Sequence, residues 1–152
     1  MSVGHEAVAH EDREGRRRAA PLILAAWVVA LASSLAVLFI GEVLGQAPCN
    51  LCWFQRAFMF PLAVVLGVAV WRSDPEVWRY GVPLAAGGAL VALYHTGLYA
   101  GLLPAPITPC EATGPSCTDD GMVILRLPIP ALALGAFTAI GLLLLPLRRM
   151  TR

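Results

Sequence analysis

The sequence predicts an all-α membrane protein, a four-transmembrane-helix bundle with both termini cytoplasmic, and three observations carry that prediction. Apolar residues make up 58% of the 152 and charged residues only 14%, whereas an average soluble domain has roughly 45–50% and 25%. A soluble chain this short leaves a large share of its surface in water and cannot hide such an excess. The apolar residues also fall into four runs, each near the roughly 20 residues that a helix needs to cross the hydrocarbon core. Finally, all 11 basic residues are arginines, spread unevenly over the segments that join the runs.

Residues 1–20, which include HEAVAHEDREGRRRAA, are polar, mixed in charge and without apolar periodicity. They are expected to form a flexible cytoplasmic tail. A transmembrane domain is expected over 21–147, with spans at about 22–41, 51–71, 81–103 and 129–147, and a short cytoplasmic tail over 148–152. Proline and glycine inside the runs would argue against helix in water. Lipid, however, offers backbone groups no other partner, so helix remains the answer. A cleaved signal peptide competes for the first run, but the run is long for one, and Gly45 and Ala47 are followed by Pro48, a poor cleavage context. The spacings Gly41–Gly45 and Gly97–Gly101 predict close helix packing.

Orientation follows from the arginines. Arg13, Arg16, Arg17 and Arg18 precede span one, Arg72 and Arg79 lie between spans two and three, and Arg148, Arg149 and Arg152 follow span four. By the positive-inside rule these nine mark the cytoplasmic side, which leaves Arg56 and Arg126 on the other. Trp71, Trp78 and Tyr80 frame the inner loop as interfacial anchors. The outer segments, 41–50 and 104–128, contain or adjoin all four cysteines. A net charge of +1 makes no electrostatic case for nucleic acid.

Cys49 and Cys52 form the C-x-x-C of PCNLCWFQR at the outer start of span two. On a helix they share a face, and the helix N-terminus favours a thiolate there. Arg56 stacks one turn deeper on that face; an arginine inside the membrane edge is a functional candidate, with snorkelling to the interface as the bland alternative. Cys110 and Cys117 lie in PCEATGPSCTDDG, a Pro-, Gly- and Asp-rich stretch that reads as exposed loop. A loop of this length can carry its thiols to span two, so one loop cysteine can exchange with an outside partner and the other with the C-x-x-C.

Other readings compete. An even cysteine count outside the cytoplasm also fits a structural membrane protein with two passive disulfides, although a C-x-x-C at a helix start has redox geometry. No metal is expected, because the Cys110–Cys117 gap lies outside usual zinc spacing. A channel would need more intramembrane polar residues. His95, in the LYHTG of span three, reads first as a hydrogen-bonded packing residue and second as a group handling quinone or protons. Glu42 and Gln46 read as interfacial polar groups. With no Rossmann fingerprint, P-loop or c-type haem motif in the chain, the electron acceptor that can reach span two from within the bilayer is a lipid-soluble quinone. Arg56 could then stabilise charge on the quinone oxygen or on the Cys52 thiolate.

PCNLCWFQRAFMFP resembles the motif region of the DsbB family of disulfide-bond formation proteins, in particular its shorter BdbC-like members. The order of spans and cysteine pairs agrees with that family over residues 22–147. The resemblance implies an enzyme of the bacterial plasma membrane, with its cysteine pairs on the periplasmic or extracellular side. Such an enzyme reoxidises a DsbA-like, thioredoxin-fold thiol oxidase and passes the electrons to ubiquinone or menaquinone. It further implies that Cys110 forms the mixed disulfide with that partner, that Cys117 exchanges with Cys49, and that Cys52 faces the quinone beside Arg56. Two features depart from the best-known branch: Gln55 stands where that branch has an acidic residue, and the Cys110–Cys117 interval is short, which leaves the order of exchange open. A vitamin K epoxide reductase-like protein is the nearest enzymatic alternative, but there the loop cysteines precede the C-x-x-C, and here they follow it.

Overall fold

The computed structural model describes residues 3–103, 123–124 and 127–151. Cys110 and Cys117 therefore lie outside the described residues. The helices are α1 (Val3–Leu38), α2 (Asn50–Arg72), α3 (Trp78–Tyr99), α4 (Ile129–Leu144) and the single turn α5 (Leu147–Met150), with a π-helical turn over Phe39–Val43. Among the described residues, four helices are long and apolar enough to cross a membrane. The expected four-span bundle is the fold observed.

Backbone over 3–20 is helical, and α1 runs without a break through Pro21. The composition supports this: Ala, Glu and Arg are good helix formers, and Arg18 pairs with Glu14 one turn earlier at 2.6 Å. Helix α2 ends at Ser73, whose φ of 50° places it in the left-handed region. Asp74 then accepts from the Glu76 N–H at 2.9 Å and starts the next turn. Helix α3 begins a few residues ahead of the expected start of span three, and its last residue precedes the expected end. Ahead of α4, β1 (Val123–Ile124) pairs antiparallel with β2 (Leu127–Pro128).

Neighbouring helices run antiparallel and close a ring, with α1 against α2, α2 against α3, α3 against α4, and α4 against α1. Contacts at one end show the register: Arg16 reaches the Ser73 carbonyl at 3.5 Å, and Trp78 Nε1 donates to Thr151 at 3.1 Å. The Trp78 ring also faces both Arg79 and Arg148 at 5.8 Å. Both chain ends and the arginine-rich segments thus share one end of the bundle, and the C-x-x-C sits at the other.

The interior is built of small and branched side chains, among them Ala26, Ala30, Leu62, Leu66, Ala85, Ala92 and Ile140, around the large ring of Phe137. Leu24, Val28, Val64, Leu90, Leu93 and Leu142 point outward. A helix apolar on every face is what lipid as solvent demands. Hydroxyls are satisfied within their own helices: Ser34, Thr96 and Thr138 donate to the carbonyls of Ala30, Ala92 and Leu134 at 2.7–2.8 Å. Trp71 and Tyr80 are exposed at the arginine end, in keeping with interfacial anchoring.

The expected packing role of Gly45 and Gly101 is not what the structure shows. Both have positive φ, 69° and 68°, with open space where a Cβ would stand. Gly101 closes α3 in a Schellman motif, in which Leu102 N–H reaches the Gly97 carbonyl at 3.0 Å and Gly101 N–H reaches Leu98 at 3.1 Å. Close packing is achieved elsewhere. A Cβ on Gly88 would fall on the Phe137 ring, and one on Gly81 would lie 2.6 Å from Leu144. Phe137 is fully buried, so Gly88→Ala is expected to destabilise the bundle by about 1–3 kcal/mol through overpacking. Gly135→Ala, into open space, should leave stability nearly unchanged. Thermal unfolding of the two variants in detergent checks the contrast.

Candidate redox site at the C-x-x-C end of the bundle

Cys49 is the residue on which α2 begins. Its extended backbone (φ −69°, ψ 167°) makes it the N-cap, and its Sγ accepts the Cys52 N–H at 3.4 Å. Its carbonyl accepts from Trp53 N–H at 3.1 Å, closing the first turn. A sulfur thus serves where Ser or Asp would ordinarily cap, and it receives the partial positive charge of the helix terminus. The two Sγ atoms are in hydrogen-bond contact at 2.9 Å, with both cysteines as thiols. That hydrogen bond from Cys52 lowers the Cys49 thiol below the ordinary thiol range; burial opposes the shift and a contact with His95 adds to it. The helix terminus and the Cys52 contact thus favour the thiolate form at Cys49.

The sulfurs lie between the start of α2 and the end of α3. Cys49 is 2% exposed and packs with Leu51 and Leu98, and half-buried Cys52, Val91 and Tyr94 adjoin them. Helix α3 also brings His95 to this spot. It is completely buried, with Nε2 3.9 Å from Cys49 Sγ and Nδ1 3.0 Å from the Gln55 amide nitrogen. The Gln55 amide nitrogen faces Nδ1, and Nε2 faces Cys49. Sequence reasoning treats His95 first as a packing residue, and the contact with Cys49 is what it misses. A signal was present in the depth: His95 lies one turn before the end of α3 and Gln55 just past the first turn of α2. In an antiparallel pair these positions fall at one level.

Arg56 points to a different neighbour. Its Nη2 donates to the Val37 carbonyl at 3.1 Å, and its guanidinium stands 5.3 Å from the centre of the Trp53 ring. The contact falls where α1 passes into the π-helical turn over Phe39–Val43. Wider helical turns of this kind shift carbonyls out of the regular ladder and recur at functional sites. Gly41 leaves room for the guanidinium, since a Cβ there would lie 3.4 Å from Nη2. Arg56 thus ties the end of α1 to the first turns of α2. Trp53 and Phe54 beside it are exposed on the outer face, as are Glu42 and Gln46 on the segment that follows α1. The site comprises a thiol pair at a helix N-terminus, a buried imidazole and an arginine held by Val37 and Trp53.

No solved structure matches the chain. Relatives do. A "Probable disulfide formation protein" of Metapseudomonas resinovorans is 61% identical over 131 residues, which are 86% of this chain and 91% of that protein. "Probable disulfide formation protein C 2" of Bacillus cereus is 33% identical over 123 residues, 80% of this chain and 87% of its own. "Disulfide bond formation protein C" of Bacillus subtilis is 41% identical over 73 residues, 48% of this chain and 53% of its own. The family model for disulfide bond formation protein DsbB matches residues 17–147, a stretch that holds all four apolar spans and both cysteine pairs, and the chain belongs to that family.

Proposed function

We propose that this protein is the membrane enzyme that makes disulfides for a soluble thiol oxidase of the DsbA-like, thioredoxin-fold kind, and that its electrons leave through a membrane quinone. The observation that carries the reading is the N-cap position of Cys49, with Cys52 in sulfur contact and a histidine behind it. Passive bridges need no thiolate stabilised by a helix terminus. In this reading the arginine-rich end faces the cytoplasm and the cysteine end faces the periplasm or exterior of a bacterial plasma membrane.

The sulfur steps balance as follows. A thiolate of the partner attacks the Cys110–Cys117 disulfide at Cys110, and Cys117 leaves as a thiolate. The partner's second thiol closes its own disulfide and releases Cys110; two electrons and two protons have then entered the loop pair. Cys117 attacks the Cys49–Cys52 disulfide at Cys49, and Cys52 departs as a thiolate. Cys110 then displaces Cys49, restoring the loop disulfide and leaving the C-x-x-C reduced. Because Cys49 is buried, this exchange requires local opening around it. The helix N-terminus stabilises Cys49 as a leaving thiolate.

A quinone, when bound, supplies a two-electron, two-proton acceptor. The residues present suit one: half-buried Cys52, the Arg56 guanidinium with five N–H donors in all, and the exposed rings of Trp53 and Phe54 offer charge-assisted hydrogen bonding beside an apolar wall. Arg56 stabilises negative charge at the lipid-facing edge. His95 places Nε2 next to Cys49. The deciding experiment uses the purified protein in detergent with a reduced DsbA-like protein. Oxidation is expected only when quinone is added; equal rates with and without it would remove the quinone from the scheme.

A further inference from the structure

We propose that the reduced C-x-x-C and His95 together form a binding site for a soft, thiophilic divalent metal ion of the zinc and cadmium kind, a site that exists only while the pair is reduced. Cys49 Sγ, Cys52 Sγ and a ring nitrogen of His95 all lie within 4.8 Å of one another. The chemistry of the donors is selective: two thiolates and an imidazole suit zinc or cadmium, while calcium and magnesium require oxygen. The zinc arrangement that the sequence disfavours depends on Cys110 and Cys117. Here the third donor comes instead from α3, by a contact that spacing along the chain does not reveal.

The geometry is close to what a metal needs. Zinc–sulfur and zinc–nitrogen bonds of about 2.3 and 2.0 Å in a tetrahedron place sulfurs about 3.8 Å apart and each sulfur about 3.5 Å from the nitrogen. The observed separations are 2.9 Å between the sulfurs and 3.9 Å from Cys49 Sγ to Nε2. Opening the sulfur pair by about 0.9 Å and drawing the ring nitrogen, now within 4.8 Å of both sulfurs, in to about 3.5 Å admits the ion, by adjustments on the scale of side-chain rotations. Three protein ligands leave a fourth position for water, as in open zinc sites.

Gln55 is suited to the second role that such a site requires. A metal on Nε2 moves the ring proton to Nδ1, which must then find an acceptor. A carboxamide can supply one by turning over, so that its oxygen takes the place of the nitrogen now 3.0 Å from Nδ1. One amide thereby supports the ring in both tautomers.

Formation of the Cys49–Cys52 disulfide removes both thiolates and abolishes the site. Conversely, an ion bound to both sulfurs withholds them from oxidation, and any thiol proton still present is released on binding. The metal would thus hold the enzyme in its reduced state until it is stripped away. The inference depends on neither the soluble partner nor the quinone, and its test uses neither.

The experiment is a titration of the full-length protein in detergent with cadmium alone. The protein is first reduced with a phosphine, which is then removed, and Cys110 and Cys117 are replaced by serine to silence the loop. The expected result is one ion per chain, with thiolate-to-cadmium charge-transfer absorption, displaced by zinc and absent from the oxidised protein. His95→Ala should weaken binding by more than the roughly 10–100-fold that loss of a supporting contact causes, and His95→Cys should restore it. Gln55→Glu, a fixed acceptor for Nδ1, should tighten binding. Equal uptake by oxidised and reduced protein would overturn the proposal. So would unchanged affinity in both the His95→Ala and Gln55→Glu variants, which would reduce the site to a bare dithiol. Failure here would leave quinone-dependent oxidation of the partner untouched, and the reverse also holds.

Discussion

Cys52→Ser protein is expected to lose quinone-linked turnover by roughly a thousandfold or more, the scale at which removal of one member of an interdependent catalytic set acts. The reason lies in the first turn of α2. Cys49 caps the helix and Cys52 follows at hydrogen-bond contact, so each sulfur is the other's partner for bond formation. Serine keeps a hydrogen-bond donor near Cys49 but can neither form nor release a disulfide. Oxidation of the soluble partner and quinone reduction, followed by absorbance with purified protein, should both stop. Cys110→Ser should stop turnover at a different step, by preventing any covalent complex with the partner on a non-reducing gel. Normal quinone reduction by the Cys52→Ser protein would show that electrons leave by a route that bypasses α2.

Arg56→Ala is expected to raise the KM for quinone by roughly 10–100-fold, the equivalent of a charge-assisted hydrogen bond of about 1.5–3 kcal/mol. A quinone titration at saturating reduced partner measures it. The guanidinium also holds the Val37 carbonyl and lies against Trp53, so part of any loss could come from a loosened junction between α1 and α2. Arg56→Lys separates the two roles. Lysine keeps the charge but not the planar fork; partial recovery of KM with it would locate the effect in charge at the site. An unchanged titration in Arg56→Ala would reduce the arginine to a structural tie.

The contrast between Arg56 and His95 shows where chain order is informative. Arg56 could be singled out from sequence because a charge one turn past a C-x-x-C is anomalous in lipid. Its partner could not be named, because the Val37 carbonyl becomes available only at a departure from regular helix. His95 gave no such local anomaly. One imidazole in an apolar run is compatible with ordinary packing, and its approach to Cys49 depends on how α2 and α3 are aligned in depth. The glycines teach the same lesson in reverse: the Gly97–Gly101 spacing looks like a packing motif, yet Gly101 is needed for its positive φ at a helix end, while Gly88, in no conspicuous motif, carries the tight contact.

What the sequence determined alone is the solvent, the number of spans and the redox character of the end that bears the C-x-x-C, since these follow from local quantities: composition, run length and a thiol pair three residues apart. What only the tertiary structure decided is the composition of the site around those thiols. A buried imidazole, its amide support and the seat of the guanidinium come from three different helices, and in an apolar bundle the rotation and depth of each helix are set by small-residue packing, not by any polar pattern legible along one strand of chain.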